Sequence, residues 1–227
     1  MRQVNFVLIG RSGSGKGTQA ELLGEHFDNL VYIYPGKLLR DLAKTGTDVG
    51  TRVRDLLDKG ELPSDVLATA LWVHEISYKL HENEGLLLDG APRRLTEAQS
   101  LDSFLEFLGR KDSTLFLLID ISRKEAFNRL ISRRICKKCR TAFPWIDGFK
   151  DAKACSKCGG QLVKREDDVE EAINERLDYY EESVVGVVKY YEELGILIRI
   201  NGEQPIKDVF KDILKYSKAL RDGNHKN

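Results

Sequence analysis

The stretch Gly10-Arg11-Ser12-Gly13-Ser14-Gly15-Lys16-Gly17-Thr18 constrains this chain more than any other, because of what stands on either side of it. Val4 to Ile9, before it, is an apolar run bounded by turn residues and reads as a short buried strand; from Lys16 to His26 the spacing turns helical. Strand, glycine-rich loop and helix in that order are the form of a phosphate-binding loop, and the segment fits its Gly-x4-Gly-Lys core. The strict pattern puts Ser or Thr directly after the lysine, whereas Thr18 comes one position later. Glycines let backbone N–H groups turn inward on a phosphate, Lys16 adds a point charge, and the helix start adds its positive end. A glycine-rich turn with an incidental lysine is the competing reading, and it leaves the ordered flanks unexplained.

Further strand signals follow at Val31 to Tyr34, Gly85 to Asp89, Leu115 to Ile119 and Ile196 to Ile200. Between them the pattern predicts helices over Val66 to Leu80, Glu125 to Arg134 and Val169 to Leu194, the last ended by Gly195, and another after Pro205. Leu38 to Lys59 has apolar residues at helical spacing broken by Gly46 and Gly50, a small helical insert. Strands alternating with helical crossovers imply an α/β fold, a parallel five-stranded sheet covered on both faces. The 227 residues suffice for a substantial core, and 41% hydrophobic with 32% charged residues is ordinary globular composition. Thirty-six basic side chains balance thirty-six acidic ones, so an anion site must come from local clustering. No apolar run has signal-peptide or membrane-spanning length, and a cytoplasmic protein is expected.

All four cysteines fall in one insert as Cys136-x2-Cys139 and Cys155-x2-Cys158, fifteen residues apart. That is the spacing of a tetrahedral zinc site, favoured here over disulfides or idle thiols. A closed four-thiolate shell leaves no open coordination position, so the metal is expected to be structural. A nucleic-acid-binding zinc ribbon is the alternative, encouraged by Arg133, Arg134, Lys137, Lys138 and Arg140. Against it, Trp145 and Phe149 are the few aromatics available for stacking, and Asp147 and Asp151 dilute the charge.

On the long helix, Val169, Ala172, Ile173, Tyr180 and Val184 form an apolar stripe, and Arg176 stands on it, three residues after Ile173 and four before Tyr180. An inward-facing charge demands an anion, which a phosphate or a buried carboxylate would supply. His26, His74, His81 and His225 read as surface or helix residues.

Gly15-Lys16-Gly17-Thr18-Gln19-Ala20 resembles the phosphate loop of adenylate kinases, and the resemblance extends over nearly the whole chain. Gly36-Lys37-Leu38-Leu39-Arg40 is similar to the family's Thr-Gly-Asp-Met-Leu-Arg, and Leu88-Asp89-Gly90-Ala91-Pro92-Arg93 to its Leu-Asp-Gly-Phe-Pro-Arg. Arg129 to Arg134 resembles the segment entering the family's lid; Arg165, Asp167, Asp168 and Arg176 resemble the segment leaving it. The resemblance implies reversible transfer of a phosphoryl group from ATP to AMP, with a zinc-binding lid and magnesium carried with ATP. By the same match Lys16, Asp89, Arg93, Arg133, Arg165 and Arg176 serve catalysis. Gly13, Ser14, Gly15, Lys16, Gly17, Thr18, Arg129, Arg133 and Gln204 would bind ATP. Gly36, Arg40, Gly90, Arg93, Glu97, Arg165 and Arg176 would bind the monophosphate, and Asp89 would hold magnesium-bound water.

The resemblance further implies a core of residues 1–34, 67–131 and 169–227, a monophosphate-binding insert of 35–66 and a zinc-binding lid of 132–168. The expected partners are ATP and a nucleoside monophosphate, without nucleic acid or membrane, for a monomeric chain. Pro35, Lys37, Ala91 and Glu97 depart from the family pattern. An ionised glutamate only accepts hydrogen bonds, so Glu97 would take two donors from guanine or one amino group from adenine or cytosine, or else face solvent. AMP is therefore the expected acceptor, with GMP or another monophosphate as the alternative, and a non-catalytic nucleotide- or nucleic-acid-binding zinc protein as a third reading.

Overall fold

A computed structural model describes residues 3–59, 61, 63–139, 141–143, 152, 154–165 and 168–222. Five strands, β1 (Asn5–Ile9), β2 (Leu30–Ile33), β3 (Gly85–Asp89), β4 (Thr114–Asp120) and β8 (Leu197–Asn201), form one sheet in the order β2-β3-β1-β4-β8, with every pair parallel. This is the expected α/β sheet of a phosphate-loop fold. Alternation along β1 decides the two sides of the core: Val7 and Ile9 point one way, Phe6 and Leu8 the other.

Against the first face pack α4 (Asp65–Lys79), α5 (Leu95–Phe107) and α8 (Val185–Glu193) through Trp72, Ile76, Leu101, Leu105, Val187 and Tyr191. The second face is covered by α1 (Lys16–His26) and α9 (Ile206–Arg221) through Ala20, Leu23, Val209 and Ile213. Apolar side chains of β1, β3 and β4 are thus buried on both faces, which explains their unbroken runs.

The insert after β2 holds two helices, α2 (Pro35–Leu42) and α3 (Asp48–Asp58). Gly46, at φ +68°, makes the turn between them. Gly50 does not break the helix as the pattern suggested; it lies inside α3, where a Cβ would sit 2.4 Å from the Leu42 carbonyl oxygen, so it permits close approach of the two helices. Leu39, Ala43 and Val53 form a separate small core with Leu67 and Leu71 of α4.

Beyond α6 (Arg123–Ser132), strands β5 (Arg134–Cys136), β6 (Ala142–Phe143) and β7 (Leu162–Lys164) make a small antiparallel sheet. The helix expected over Val169 to Leu194 is continuous but carries a wide turn: α7 (Glu170–Tyr179) passes through a π turn, Tyr180–Val184, into α8. Its stripe also differs at the start. Val169 caps the helix and is 47% exposed, while Leu177, with Ile173, faces α6. A Schellman motif ends the helix, with Gly195 at φ +70° and the Ile196 N–H on the Tyr191 carbonyl.

Candidate active site

The site lies at the C-terminal ends of the parallel strands, where loops leave the sheet and helix starts face outward. After β1 the loop turns through Gly10, Gly13 and Gly15, all at positive φ. A Cβ on Gly10 would lie 2.5 Å from the Ile119 carbonyl oxygen, and one on Gly13 would lie 3.0 Å from that of Ala126, so β4 and α6 crowd the loop from behind. Lys16 Nζ donates to the carbonyls of Gly10 and Arg11, each at 2.7 Å, and to Ser14 Oγ at 3.3 Å. Burial pulls the Lys16 ammonium down to about 8; nearby Asp89 opposes this, and nearby Arg93 and Arg133 reinforce it. Around one lysine, then, stand the acid that ends β3 and two of the expected arginines. Thr18 is half-buried in the first turn of α1, and Gly17 lies beside Asp89, to which its Cβ would come within 3.8 Å.

Asp89 is 4% exposed, accepts from the Tyr32 hydroxyl at 2.9 Å, and is held above the usual carboxylate range mainly by burial. Tyr32 in turn stacks with Tyr34, their rings 6.5 Å apart and nearly parallel, and the Arg40 guanidinium lies 5.3 Å from the Tyr34 ring. This tyrosine pair links Asp89 to Arg40, and sequence pattern did not single it out. Gly36 is likewise packed at the Tyr34 ring, 2.9 Å from where its Cβ would be. Lys37 is exposed and pairs with Asp41 at 2.5 Å, so its charge is answered within its own helix.

Gly90, at φ +80°, lets the chain turn so that Arg93 Nε donates to the Gly90 carbonyl at 2.8 Å. Glu97 does not face solvent. It is 4% exposed, accepts from the Arg93 amide at 3.4 Å, and burial raises its pKa against the pull of Arg93 and Arg94.

Arg133 meets Asp168 in a bidentate pair, Nε to Oδ2 at 2.8 Å and Nη2 to Oδ1 at 2.7 Å, and Arg176 Nη2 reaches the same Oδ1 at 3.2 Å. Asp168 is fully buried, so of the two anions that Arg176 could have required, the buried carboxylate is present. Arg129 Nε donates to Glu125 at 2.6 Å, one turn back on α6. Arg165 is half-buried between β7 and Asp168 in sequence. Gln204 Nε2 donates to Asp212 of α9 at 2.7 Å. His26, His74 and His81 are exposed, which fits their reading as surface residues. Arg140, Trp145, Asp147, Phe149, Asp151, Asp167 and His225 lie outside the described residues.

The four cysteine sulfurs come together within 4.8 Å of one another, with Cys136–Cys158 and Cys139–Cys155 each at 3.5 Å. A tetrahedron of Zn–S bonds near 2.3 Å has edges of about 3.8 Å, so the cluster is close to the size that a zinc ion needs. Backbone N–H groups of Cys139 and Lys138 point at Cys136 and hold its thiol below the usual range; that of Gly160 points at Cys158, whose thiol the neighbouring sulfurs and burial nevertheless push up to about 12. A Cβ on Gly160 would stand 2.8 Å from Cys136 Sγ, so only glycine leaves the sulfur cradle open. The residues fit the metal.

A family model described as adenylate kinase matches residues 8–196. Among curated proteins, the adenylate kinase of Methanocella arvoryzae is 38% identical over 211 residues, covering 92% of this chain and 96% of that protein. Those of Caldicellulosiruptor bescii and Petrotoga mobilis are 36% identical over 213 residues and 34% over 218; they cover 93% and 96% of this chain, and 98% and 99% of their own lengths.

Proposed function

The chain belongs to the adenylate kinase family, and from that premise we propose how its residues carry out reversible transfer of the ATP γ-phosphoryl group to AMP, giving two ADP. The observation that supports the roles best is the gathering of Asp89, Arg93 and Arg133 about the half-buried Lys16. Phosphoryl transfer requires alignment of two phosphates and neutralisation of charge on the migrating group, with little covalent help from protein. Gly13, Ser14, Gly15, Lys16, Gly17 and Thr18 hold the donor phosphates, Arg129 and Arg133 approach them from the lid side, and Gln204 stands toward the donor base. Gly36, Arg40, Gly90, Arg93 and Glu97 receive the monophosphate. Arg165 and Arg176 reach the phosphates from the segment leaving the lid. In this arrangement phosphate oxygens compete with Asp168 for Arg133 and Arg176, so the carboxylate keeps both guanidiniums aligned between turnovers.

The acceptor phosphate has a second pKa of about 6 and is largely ionised at neutral pH, so no general base is needed. The exposed His26, His74 and His81 are accordingly given no role. Asp89 would hold the water shell of magnesium carried with ATP, which would supply neutralisation of phosphate charge. Cys136, Cys139, Cys155 and Cys158 would hold zinc in a structural role, tying together the lid of 132–168. The insert of 35–66 closes on AMP over the core of 1–34, 67–131 and 169–227, in a monomeric, cytoplasmic enzyme. No helix among the described residues is long and apolar enough to cross a membrane.

The test is a coupled assay of ADP formation with AMP, GMP, CMP and UMP as acceptors. AMP is expected to give the highest kcat/KM; turnover with none of them, in protein that binds ATP, would refute the assignment.

A further inference from the structure

Arg11 stands second in the phosphate loop, and none of the roles above uses it. Its guanidinium lies 4.2 Å from the centroid of the Tyr180 ring, donates to Glu181 Oε1 at 2.5 Å, and comes within 3.9 Å of Asp120 Oδ1 at the end of β4. Only 16% of the side chain is exposed. Its own carbonyl is one of the acceptors on which Lys16 Nζ rests, at 2.7 Å. Tyr180 and Glu181 are the first two residues of the π turn, closed by the Val185 N–H on the Tyr180 carbonyl. Neighbouring residues of an α-helix face different directions, and wide turns of this kind recur where side chains are re-aimed for function. Here the turn presents a ring and a carboxylate to one guanidinium. One turn earlier the same helix carries Arg176, bound to Asp168.

We propose that Arg11 is a positioning residue: it pins the start of the phosphate loop to the π turn, fixing the carbonyl that holds Lys16 and the loop's register against the helix bearing Arg176. Tyr180 supplies a flat seat and Glu181 the counter-charge, so an ammonium would keep the charge but lose the planar stacking and the fork of a guanidinium. The inference rests on the phosphoryl-transfer reading above.

R11A, R11K, E181Q and the double variant R11A/E181Q test it through separate kcat and KM values and through ATP affinity by calorimetry. R11A is expected to lower kcat/KM for ATP by about 10- to 100-fold, the scale of a misplaced reactive group. KM for AMP should stay within about two-fold. R11K should recover part of the loss, E181Q should show a smaller loss in the same direction, and the double variant should be no worse than R11A. Kinetics of R11A within about two-fold of the parent, even with a lowered Tm, would overturn the proposal, since a mere tether moves stability alone. A silent E181Q beside an impaired R11A would also overturn it, because Arg11 would then contact ATP directly. If R11A fails to fold, R11K and E181Q carry the same comparison. Turnover by the parent tests the kinase reading separately, and ATP affinity reads the effect of Arg11 without turnover.

Discussion

Glu97 illustrates what burial does to one carboxyl group. Its pKa is raised by burial, lowered back by Arg93, by the Arg93 amide and by Arg94, and raised again by Asp65. An acid with a raised folded pKa binds more protons folded than unfolded, so its cost is absent at low pH and grows as pH rises above the unfolded value through the folded one. E97Q is therefore expected to raise Tm at pH 7, by about 2–4 °C for each kcal/mol of burial cost removed, and to flatten the fall in stability above pH 4.5. Melts from pH 4 to 8 decide this; an unchanged slope would move the effect to Asp89, shifted the same way. The same variant should lower KM for AMP, since an amide both donates and accepts on an adenine edge. Asp168 is the opposite case, a buried carboxylate answered by two arginines. D168A leaves both cations without it. Breaking a buried pair costs about 3–5 kcal/mol, and the partial exposure of both arginines brings the expected loss to about 2–3 kcal/mol in urea unfolding.

The cysteine-bearing segment proposed as a lid has a small core among its described residues. Its buried cluster is Cys136, Phe143 and Cys155, with Cys158 and Leu162 partly buried, so two of its three buried members belong to the cysteine group that could hold a metal. If these cysteines hold zinc as proposed, metal binding and folding of this segment are one equilibrium. Zinc is expected at about one per chain, and its removal by a strong chelator should lower Tm and expose the lid to proteolysis. An equal Tm with and without metal would contradict a structural role. G160A should shed zinc at lower chelator concentration than the parent, because its Cβ would crowd Cys136 Sγ.

Across the whole molecule, two apolar clusters clamp the sheet while α2 and α3 and the cysteine-bearing segment rest on separate, smaller ones. Small clusters open at lower free energy than the main core, which suits the proposed roles of these segments in admitting and releasing nucleotides. Lys157 in the second cysteine knuckle pairs with Glu21 of α1 at 2.9 Å. Both side chains are about half exposed, so the pair contributes about 0–1 kcal/mol and biases the lid toward the core without locking it. Ligand, then, dominates the balance. ATP at about 100 times its Kd should stabilise the protein by about 2.7 kcal/mol and raise Tm by about 5–10 °C. K16M should fold, since it removes a charge that burial already disfavours, and should lose most of that shift; a full shift in K16M would remove Lys16 from the donor site.

Sequence alone determined what short-range spacing encodes. Strand, loop and helix around Lys16, the apolar runs of β3 and β4, the paired cysteines and Gly195 as a helix stop all depend on residues a few positions apart. Where local signals were weak the reading thinned. Arg94, at the N-cap of helix α5, makes no side-chain cap bond, so that helix lacked a start signal. Gly50 read as a breaker because its close approach to Leu42 is a contact between two helices. Tertiary structure decided which charges meet. Arg11 finds Glu181 across 170 positions, Arg133 finds Asp168 across 35, and Tyr32 finds Asp89 across 57. Periodicity shows which face of an element is apolar, but an ion pair depends on where another element sets its partner in space. For that reason the phosphate loop was legible as a loop, while the clamp behind it, on Tyr180 and Glu181, emerged only from the fold.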